Sequence, residues 1–340
     1  MGRRIKKIKK IMIAAFLFCF AVSLSACGGI KNHKDDKIKI VCTTFPQYDW
    51  IKQILGEKID DVELVLLGNT GVDMHSYQAT ADDIIEITSC DIFIYVGGVS
   101  DYWVEDALAQ EDTSDIIIIN MMEVLGDRLK LEDDSTGVVE DQHHEHTEDE
   151  EHEHINTREY DEHVWLSIRN AVVICEEITK ALCEIDPDNK QIYTDNSNAY
   201  VSRLNELDKR YEDVVKKANS DAIIFCDRFP FIYMMNDYDI EYYAAFSGCS
   251  TETEASFETI TFLAEKINEL NISAVLVVDG STKDLAKTVI GSTKDKNQEI
   301  LVIDSFQAIT SKDIEDGKTY ISTMESNLQV LEEAFGVNNQ

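Results

Sequence analysis

Short apolar runs alternate with longer amphipathic stretches along the chain from Ile38 onwards. Short runs rich in Ile and Val are typical of buried strands, whereas apolar residues spaced three or four apart are typical of helices. A strand, helix, strand order predicts parallel sheets covered by helices. The predicted strands are Ile38–Cys42, Val62–Leu67, Asp91–Val96 and Ile116–Ile119 in a first series, and Ala222–Cys226, Tyr242–Phe246, Ala274–Val278 and Ile300–Ile303 in a second.

Helical spacing fills the gaps between these strands. The predicted helices are Tyr48–Leu55, Thr80–Thr88, Trp103–Leu108, Ser256–Leu270, Lys283–Val289 and Lys318–Ala334. A longer helix separates the two series; it begins at Asp186-Pro187 and runs to about Ala218. About 30 helical residues would span about 45 Å, enough to run along two lobes.

The predicted fold is therefore α/β, with two lobes that each contain a small, mostly parallel sheet flanked by helices. We place the N-terminal lobe at residues 38–185, the linking helix at 186–218 and the C-terminal lobe at 219–340. Ligands of parallel sheets bind outside the carboxyl ends of the strands, so a binding site is expected in the cleft between the lobes.

The first 26 residues differ in chemistry from everything that follows. A basic stretch precedes the apolar run Ile11–Val22, and small residues come next. This pattern predicts a secretory signal peptide over residues 1–26. A membrane-spanning helix is the alternative, but the strongly apolar part is shorter than the roughly 20 residues that spanning requires. Leu24-Ser25-Ala26-Cys27 resembles a bacterial lipobox, which predicts a lipid on Cys27 and a polar tether over residues 27–37.

The net charge of the chain is −34. Without the six basic residues of the signal, 25 Lys and Arg stand against 65 Asp and Glu, a net charge of −40. Such a surface repels phosphate backbones, which excludes a nucleic-acid partner, and it attracts cations. Residues 132–159 are acidic and polar and predict a mobile loop. Five histidines crowd into that loop as auxiliary metal-binding candidates: His143, His144, His146, His152 and His154.

The cysteines carry little signal of their own. No Cys-x-x-Cys pair occurs, so a structural zinc knuckle is not expected. Several cysteines lie inside apolar runs, where they are typical of small buried residues. Export would permit a disulfide between Cys226 and Cys249, and the sequence leaves that possibility open.

Four polar residues stand where the predicted strands or helices meet the cleft. His75 follows the second strand, His163 opens the helix that begins near Leu166, Asp227 follows Ala222–Cys226 at once, and Asp304 follows Ile300–Ile303. Each has an ordinary alternative: a solvated histidine, or an aspartate that caps a turn. His75 and His163 are the stronger candidates, because His33 is the only other histidine outside the signal and the acidic loop.

These motifs resemble the metal-binding lipoproteins of bacterial zinc and manganese ABC importers. The resemblance rests on Thr43-Thr44-Phe45-Pro46, Met74-His75-Ser76-Tyr77 and Asp161-Glu162-His163-Val164-Trp165-Leu166, and on the His-rich insert between the last two. It implies a metal site made by His75, His163, Asp227 and Asp304. The chain departs from the family pattern at Asp227, which is shorter than the usual His or Glu and lies beside Arg228, and at Glu162, where proline is usual.

The resemblance implies a binding protein that hands its metal to a membrane permease driven by an ATPase. We expect a monomer, anchored by its N-terminal lipid on the outer face of the membrane, with no catalytic residues. Two His and two Asp suit zinc or manganese; the affinity order and the clustered imidazoles of the loop favour zinc. Other hypotheses are a zinc hydrolase, for which no His-Glu-x-x-His motif exists, and a surface adhesin or metal buffer.

Overall fold

The structure is a computed structural model that describes residues 37–67, 74–109, 113–132, 160–218, 220, 222–250 and 254–337. The predicted signal peptide, the lipidated Cys27 and the histidines of the acidic loop lie outside these residues. Residues from Lys39 onwards form one compact unit, and it contains two sheets.

The first sheet is built from four strands in the order β2-β1-β3-β4. Its strands are β1 (Ile38–Cys42), β2 (Val62–Leu66), β3 (Ile92–Tyr95) and β4 (Ile117–Asn120). β3 pairs in parallel with both β1 and β4, as the strand, helix, strand order predicts. All four strands agree with the predicted positions to within two residues.

The second sheet repeats this order, as β6-β5-β7-β8, and its pairings are also parallel. Its strands are β5 (Ala222–Phe229), β6 (Glu241–Ser247), β7 (Ala274–Val278) and β8 (Glu299–Ile303). β5 is longer than predicted, because an irregularity between Phe225 and Arg228 lets pairing with β6 continue to Phe229. The prediction that Asp227 follows this strand is therefore wrong: Asp227 lies inside it.

Helices flank both sheets. Those in the first half are Phe45–Leu55, Ala81–Thr88, Tyr102–Ala109, Met121–Leu125 and Ile168–Ile185. Those in the second half are Ile232–Asp237, Phe257–Leu270, Asp284–Ser292, Ser311–Glu315 and Tyr320–Ala334. The sequence pattern gave no signal for three short helices, Met121–Leu125, Ile232–Asp237 and Ser311–Glu315, which are too short to show a helical period.

The predicted linking helix is present as Lys190–Val215, preceded by a 3-10 turn at Pro187–Asn189. Its 26 residues span about 39 Å. Asp186 precedes the turn but makes no capping bond to the backbone. Its carboxylate accepts a hydrogen bond from the Tyr193 hydroxyl at 2.7 Å, which ties the start of the helix to its own first turns.

Buried hydrogen bonds join the two halves around the segment 161–166. The Tyr233 hydroxyl donates to the Asp161 carbonyl at 2.7 Å, and the Trp165 indole donates to the Ser305 carbonyl at 3.0 Å. The Tyr320 hydroxyl donates to the Trp165 carbonyl at 2.7 Å. These residues are at most 2% exposed, so the segment that carries His163 is fixed from both sides.

In the part of the chain that the structure describes, no helix combines the length and the apolar composition that crossing a bilayer would require.

Candidate metal centre

Two imidazoles of the first lobe meet beside residues of the second lobe. His75 comes from the 3-10 turn Met74–Ser76 in the connection after β2, and His163 precedes the 3-10 turn Val164–Leu166. Their Nε2 atoms lie 3.1 Å apart. His163 is fully buried and His75 is half-buried. The structure therefore brings together the two histidines that the sequence singled out.

Asp161 orients the ring of His163. Its Oδ1 accepts a hydrogen bond from the His163 backbone N–H at 2.8 Å and lies 3.1 Å from His163 Nδ1. An ionised carboxylate can only accept, so Nδ1 carries the proton and the lone pair of Nε2 points at His75. A carboxylate behind a histidine is the usual arrangement for a metal ligand, since it fixes the tautomer and raises the basicity of the other nitrogen.

Ser100 orients the ring of His75, with its Oγ 2.9 Å from His75 Nδ1. The Ser100 backbone N–H in turn donates to the Glu162 carboxylate, at 3.0 Å to Oε1. Burial raises the pKa of Glu162, although the bonds to Ser100 oppose that effect. A hydroxyl both donates and accepts, so Ser100 can support either tautomer of His75. Without a metal, His75 Nε2 can therefore donate to His163 Nε2. In the other tautomer, the lone pair of His75 Nε2 is available to an ion.

The neighbouring carboxyl group of Asp101 fixes the loop that carries Ser100. Its Oδ2 accepts hydrogen bonds from the backbone N–H groups of Val96 and Gly97, at 2.8 and 3.0 Å. Burial raises the pKa of Asp101 to about 6, while the two backbone bonds act in the opposite direction. Asp101 therefore supports His75 indirectly, through the position of Ser100.

Cys249 is the third side chain at this point. Among the residues that the structure describes, His75, His163 and Cys249 form a group whose ligand atoms all lie within 4.8 Å of one another. Cys249 is half-buried, and its backbone N–H donates to Glu132 at 3.3 Å. Burial, together with the charges of Asp161 and Glu132, raises the pKa of the thiol well above its usual range.

Gly248 lets the loop of Cys249 approach His163. A Cβ atom on Gly248 would lie 3.0 Å from the Asp161 carboxylate, 3.0 Å from the Phe229 carbonyl oxygen and 3.1 Å from His163 Cε1. Such contacts are tighter than van der Waals packing normally allows. The absence of a side chain at residue 248 therefore brings the next residue beside the imidazoles.

Gln307 provides a fourth polar group. Its side-chain Nε2 lies 3.0 Å from His163 Nε2. Rotation of the amide by half a turn would exchange nitrogen for oxygen at this place, and a carbonyl oxygen can bind a cation. Gln307 follows β8, so the second lobe contributes to the group from the ends of two strands.

The two predicted aspartates do not belong to the group. Asp304 directly follows β8 as expected, but its Oδ2 pairs with Lys318 Nζ at 2.5 Å and its Oδ1 accepts from the Phe306 backbone at 2.8 Å. The Asp227 Oδ1 accepts from the backbone N–H of Arg228 at 2.8 Å, and its Oδ2 is buried without a hydrogen-bond partner among the described residues.

The possible disulfide is not formed. Cys226 and Cys249 are both free thiols. Cys226 is buried in a hydrophobic cluster of the second lobe with Ile224, Leu263 and Val275, whereas Cys249 lies beside the imidazoles. Cys226 therefore belongs to the hydrophobic interior of the lobe, and Cys249 belongs to the group of possible metal ligands.

The donor set suits zinc. A tetrahedral zinc ion with Zn–N bonds of about 2.0–2.1 Å holds its two nitrogens about 3.3 Å apart, close to the 3.1 Å between the two Nε2 atoms. Imidazole and thiolate are the ligands that zinc prefers, whereas manganese prefers carboxylates and water. Cys249 and Gln307 were not among the predicted ligands, because only histidines and acidic residues were candidates for this site.

Two lobes, each a parallel sheet flanked by helices, together with paired imidazoles beside residues of both, define a two-lobed metal-binding protein. Residues 40–334 match the family model described as zinc-uptake complex component A, periplasmic. The chain belongs to this family, which confirms the resemblance seen in its motifs.

Three relatives illustrate the similarity. The zinc-binding lipoprotein AdcA of Streptococcus pneumoniae is 31% identical over 326 residues, which cover 96% of this chain and 61% of AdcA. The high-affinity zinc uptake system protein ZnuA of Bacillus subtilis is 29% identical and matched over 97% of both chains. The crystal structure of the Zn(II)-bound ZnuA-like domain of pneumococcal AdcA is 26% identical, with a TM-score of 0.67 over 88% of this chain and 99% of that domain. This chain thus spans less than two thirds of full-length AdcA.

Proposed function

We propose that this chain captures zinc outside the cell and delivers it to an ABC importer, made of a membrane permease and its ATPase. The observation that carries this proposal is the His75–His163 pair, with both Nε2 atoms facing each other and both Nδ1 atoms held from behind. Relatives described as zinc-binding and zinc-uptake proteins support the choice of zinc. Zinc is cargo here, so the protein binds and releases it without catalysis.

The arrangement of the group suits capture followed by release. His75 and His163 belong to the first lobe, whereas Cys249 and Gln307 belong to the second. An ion bound among them would hold the lobes together, and separation of the lobes would remove ligands from it. A receptor needs this property, because it must bind its ion tightly and then give it up.

The position at the membrane is part of the same proposal. A lipid on Cys27 would anchor the chain to the outer face of the cell membrane, with residues 27–37 as a tether. The acidic, His-rich segment would then serve as a weak collecting site for the ion. A surface adhesin or a metal buffer would use the same binding group, so the partner decides between these functions.

The test is a competition titration of zinc against manganese on the full chain in detergent. Wild type should bind one zinc tightly, and His75→Ala or His163→Ala should each weaken that binding by more than about 100-fold, since even residues behind a ligand contribute about 10- to 100-fold. His33→Ala is the matched control and should leave affinity unchanged. Tight zinc binding that survives both substitutions would refute the site.

Delivery needs a second measurement. In a host that depends on this receptor, His163→Ala should abolish growth on limiting zinc, and excess zinc should restore it. Equal growth of wild type and variant would contradict the import role and favour an adhesin or a buffer. Preferential binding of manganese over zinc would instead identify a manganese receptor.

A further inference from the structure

We infer that Cys249 binds the zinc ion through its thiolate, as the third ligand beside His75 and His163. This inference rests on the proposed function and names the chemistry of its site. A thiolate sets this receptor apart from a site made of imidazoles and carboxylates alone, because sulfur favours zinc strongly over manganese.

Cys249 lies close to both imidazoles. Cys249 lies two residues beyond the end of β6, at the carboxyl edge of the second sheet. Its ligand atom and the imidazole nitrogens of His75 and His163 fit within 4.8 Å of one another. Zinc bonds of about 2.3 Å to sulfur and 2.0–2.1 Å to nitrogen place neighbouring ligand atoms about 3.3–3.6 Å apart, so a small closure completes three sides of a tetrahedron.

The residue that carries the sulfur is held from two sides. The backbone N–H of Cys249 donates to Glu132, which fixes the residue from one side. On the other side, Gly248 allows the loop to lie against Asp161 and His163. The same Asp161 carboxylate orients the His163 ring and lies beside Gly248. It therefore helps to position both His163 and Cys249.

The other cysteines of the described residues have different surroundings. Cys42, Cys90, Cys175 and Cys226 are buried among apolar side chains. Cys183 is half-exposed like Cys249, but it lies in the helix Ile168–Ile185, with its Sγ 3.8 Å from the Lys190 carbonyl oxygen. Among the six thiols of the described residues, Cys249 is therefore the one that joins a group of possible metal ligands.

The charges near the sulfur also favour a cation. Two neutral imidazoles and one thiolate leave a zinc complex with a net charge of +1. The Glu132 carboxylate accepts the Cys249 backbone N–H and the Asp161 carboxylate lies against the His163 ring, so acidic groups beside the ligands offset that remainder. When zinc binds, the sulfur–zinc bond forms and the sulfur–hydrogen bond breaks, and the thiol proton passes to water.

Cobalt(II) tests the inference because a cobalt–thiolate bond gives an intense charge-transfer band in the near ultraviolet that nitrogen and oxygen ligands do not give. The full chain in detergent, loaded with one equivalent of Co²⁺, should show this band. Cys249→Ser should remove it, and Cys183→Ser, the matched half-exposed control, should retain it. The predicted acidic loop contains no cysteine, so cobalt bound there cannot produce the band.

Zinc competition on the same variants gives the second readout. Cys249→Ser should weaken zinc binding by more than about tenfold, whereas Cys183→Ser should change it less than twofold, since loss of a supporting residue already costs about 10- to 100-fold. Cys249→His should restore tight zinc binding without the charge-transfer band, which separates loss of a ligand from loss of fold.

The outcomes separate this inference from the proposed function. Tight zinc binding that needs His75 and His163, with no charge-transfer band in wild type or with a band that survives Cys249→Ser, would overturn the thiolate ligand and leave the zinc receptor standing. A wild-type chain that binds neither zinc nor cobalt in stoichiometric amounts would overturn both.

Discussion

The two lobes have the same strand order, but they supply different chemistry to the cleft between them. In each lobe the second strand lies at the edge of the sheet: β2 in the first and β6 in the second. The connection after β2 carries His75, and the connection after β6 carries Cys249. Equivalent loops of two similar sheets thus converge on one point, one with an imidazole and one with a thiol.

The lobes also hold their side chains by different means. In the first lobe, Asp161 and Ser100 hydrogen-bond the Nδ1 atoms of His163 and His75, so hydrogen bonds set the direction of each ring. In the second lobe, Cys249 is placed by close packing at Gly248 and by one bond from its backbone. Affinity should therefore depend on charge in the first lobe and on shape in the second.

Removing the negative charge of Asp161 beside His163 should have the largest effect on zinc affinity among substitutions that leave the proposed ligands in place. Asp161→Asn keeps the size of the side chain but loses the carboxylate that fixes the His163 tautomer, so zinc affinity should fall by about 10- to 100-fold. Chelator competition measures the fall. Ser100→Ala, which removes only a neutral partner of His75, should cost less.

An equal loss for these two variants would show that the rings are oriented alike and that the carboxylate has no special role. Both variants should retain the secondary structure of wild type by circular dichroism, since Asp161 also accepts a bond from the His163 backbone. A variant that fails this check would report on folding and not on the orientation of the ring.

The sequence predicted the fold well because its strands are short apolar runs with clear polar boundaries. All eight strands and the long helix lie where periodicity placed them, with differences of a few residues. The largest difference is at β5, where the irregularity after Phe225 cannot be read from the alternation of apolar residues. That single extension moved Asp227 from a loop into a strand.

Only part of the proposed zinc site could be predicted from the sequence. His75 and His163 were found because histidine is rare outside the acidic segment and because their motifs are specific. Cys249 gave no such signal, since the chain has eight cysteines and four of the six in the described residues are buried. The equivalence of the loops after β2 and β6 could have pointed to it, but that equivalence depends on the strand order, which periodicity alone does not supply.

Adding a methyl group at Gly248 tests the packing in the second lobe. Gly248→Ala would place a Cβ 3.0–3.1 Å from Asp161, Phe229 and His163, so we expect a loss of about 1–3 kcal/mol in the free energy of unfolding and weaker zinc binding. Gly291→Ala is the matched control, because nothing lies within 4 Å of a Cβ there.

The control should be neutral or slightly stabilising, by about 0.5 kcal/mol, since Gly291 lies in the helix Asp284–Ser292. Denaturant unfolding measures stability and chelator competition measures zinc binding. Gly248→Ala that behaves like Gly291→Ala in both assays would show that close packing does not place Cys249.

Asp304 provides the smallest expected effect and the sharpest check on the second lobe. Its carboxylate is occupied by Lys318 and by the Phe306 backbone, so Asp304→Asn should change zinc affinity by less than about twofold while costing about 0.2–1 kcal/mol of stability through the lost ion pair. A fall in affinity above about tenfold would mean that zinc draws Asp304 away from Lys318. The second lobe would then bind the ion through a carboxylate as well, and its difference from the first lobe would lie in charge and not only in shape.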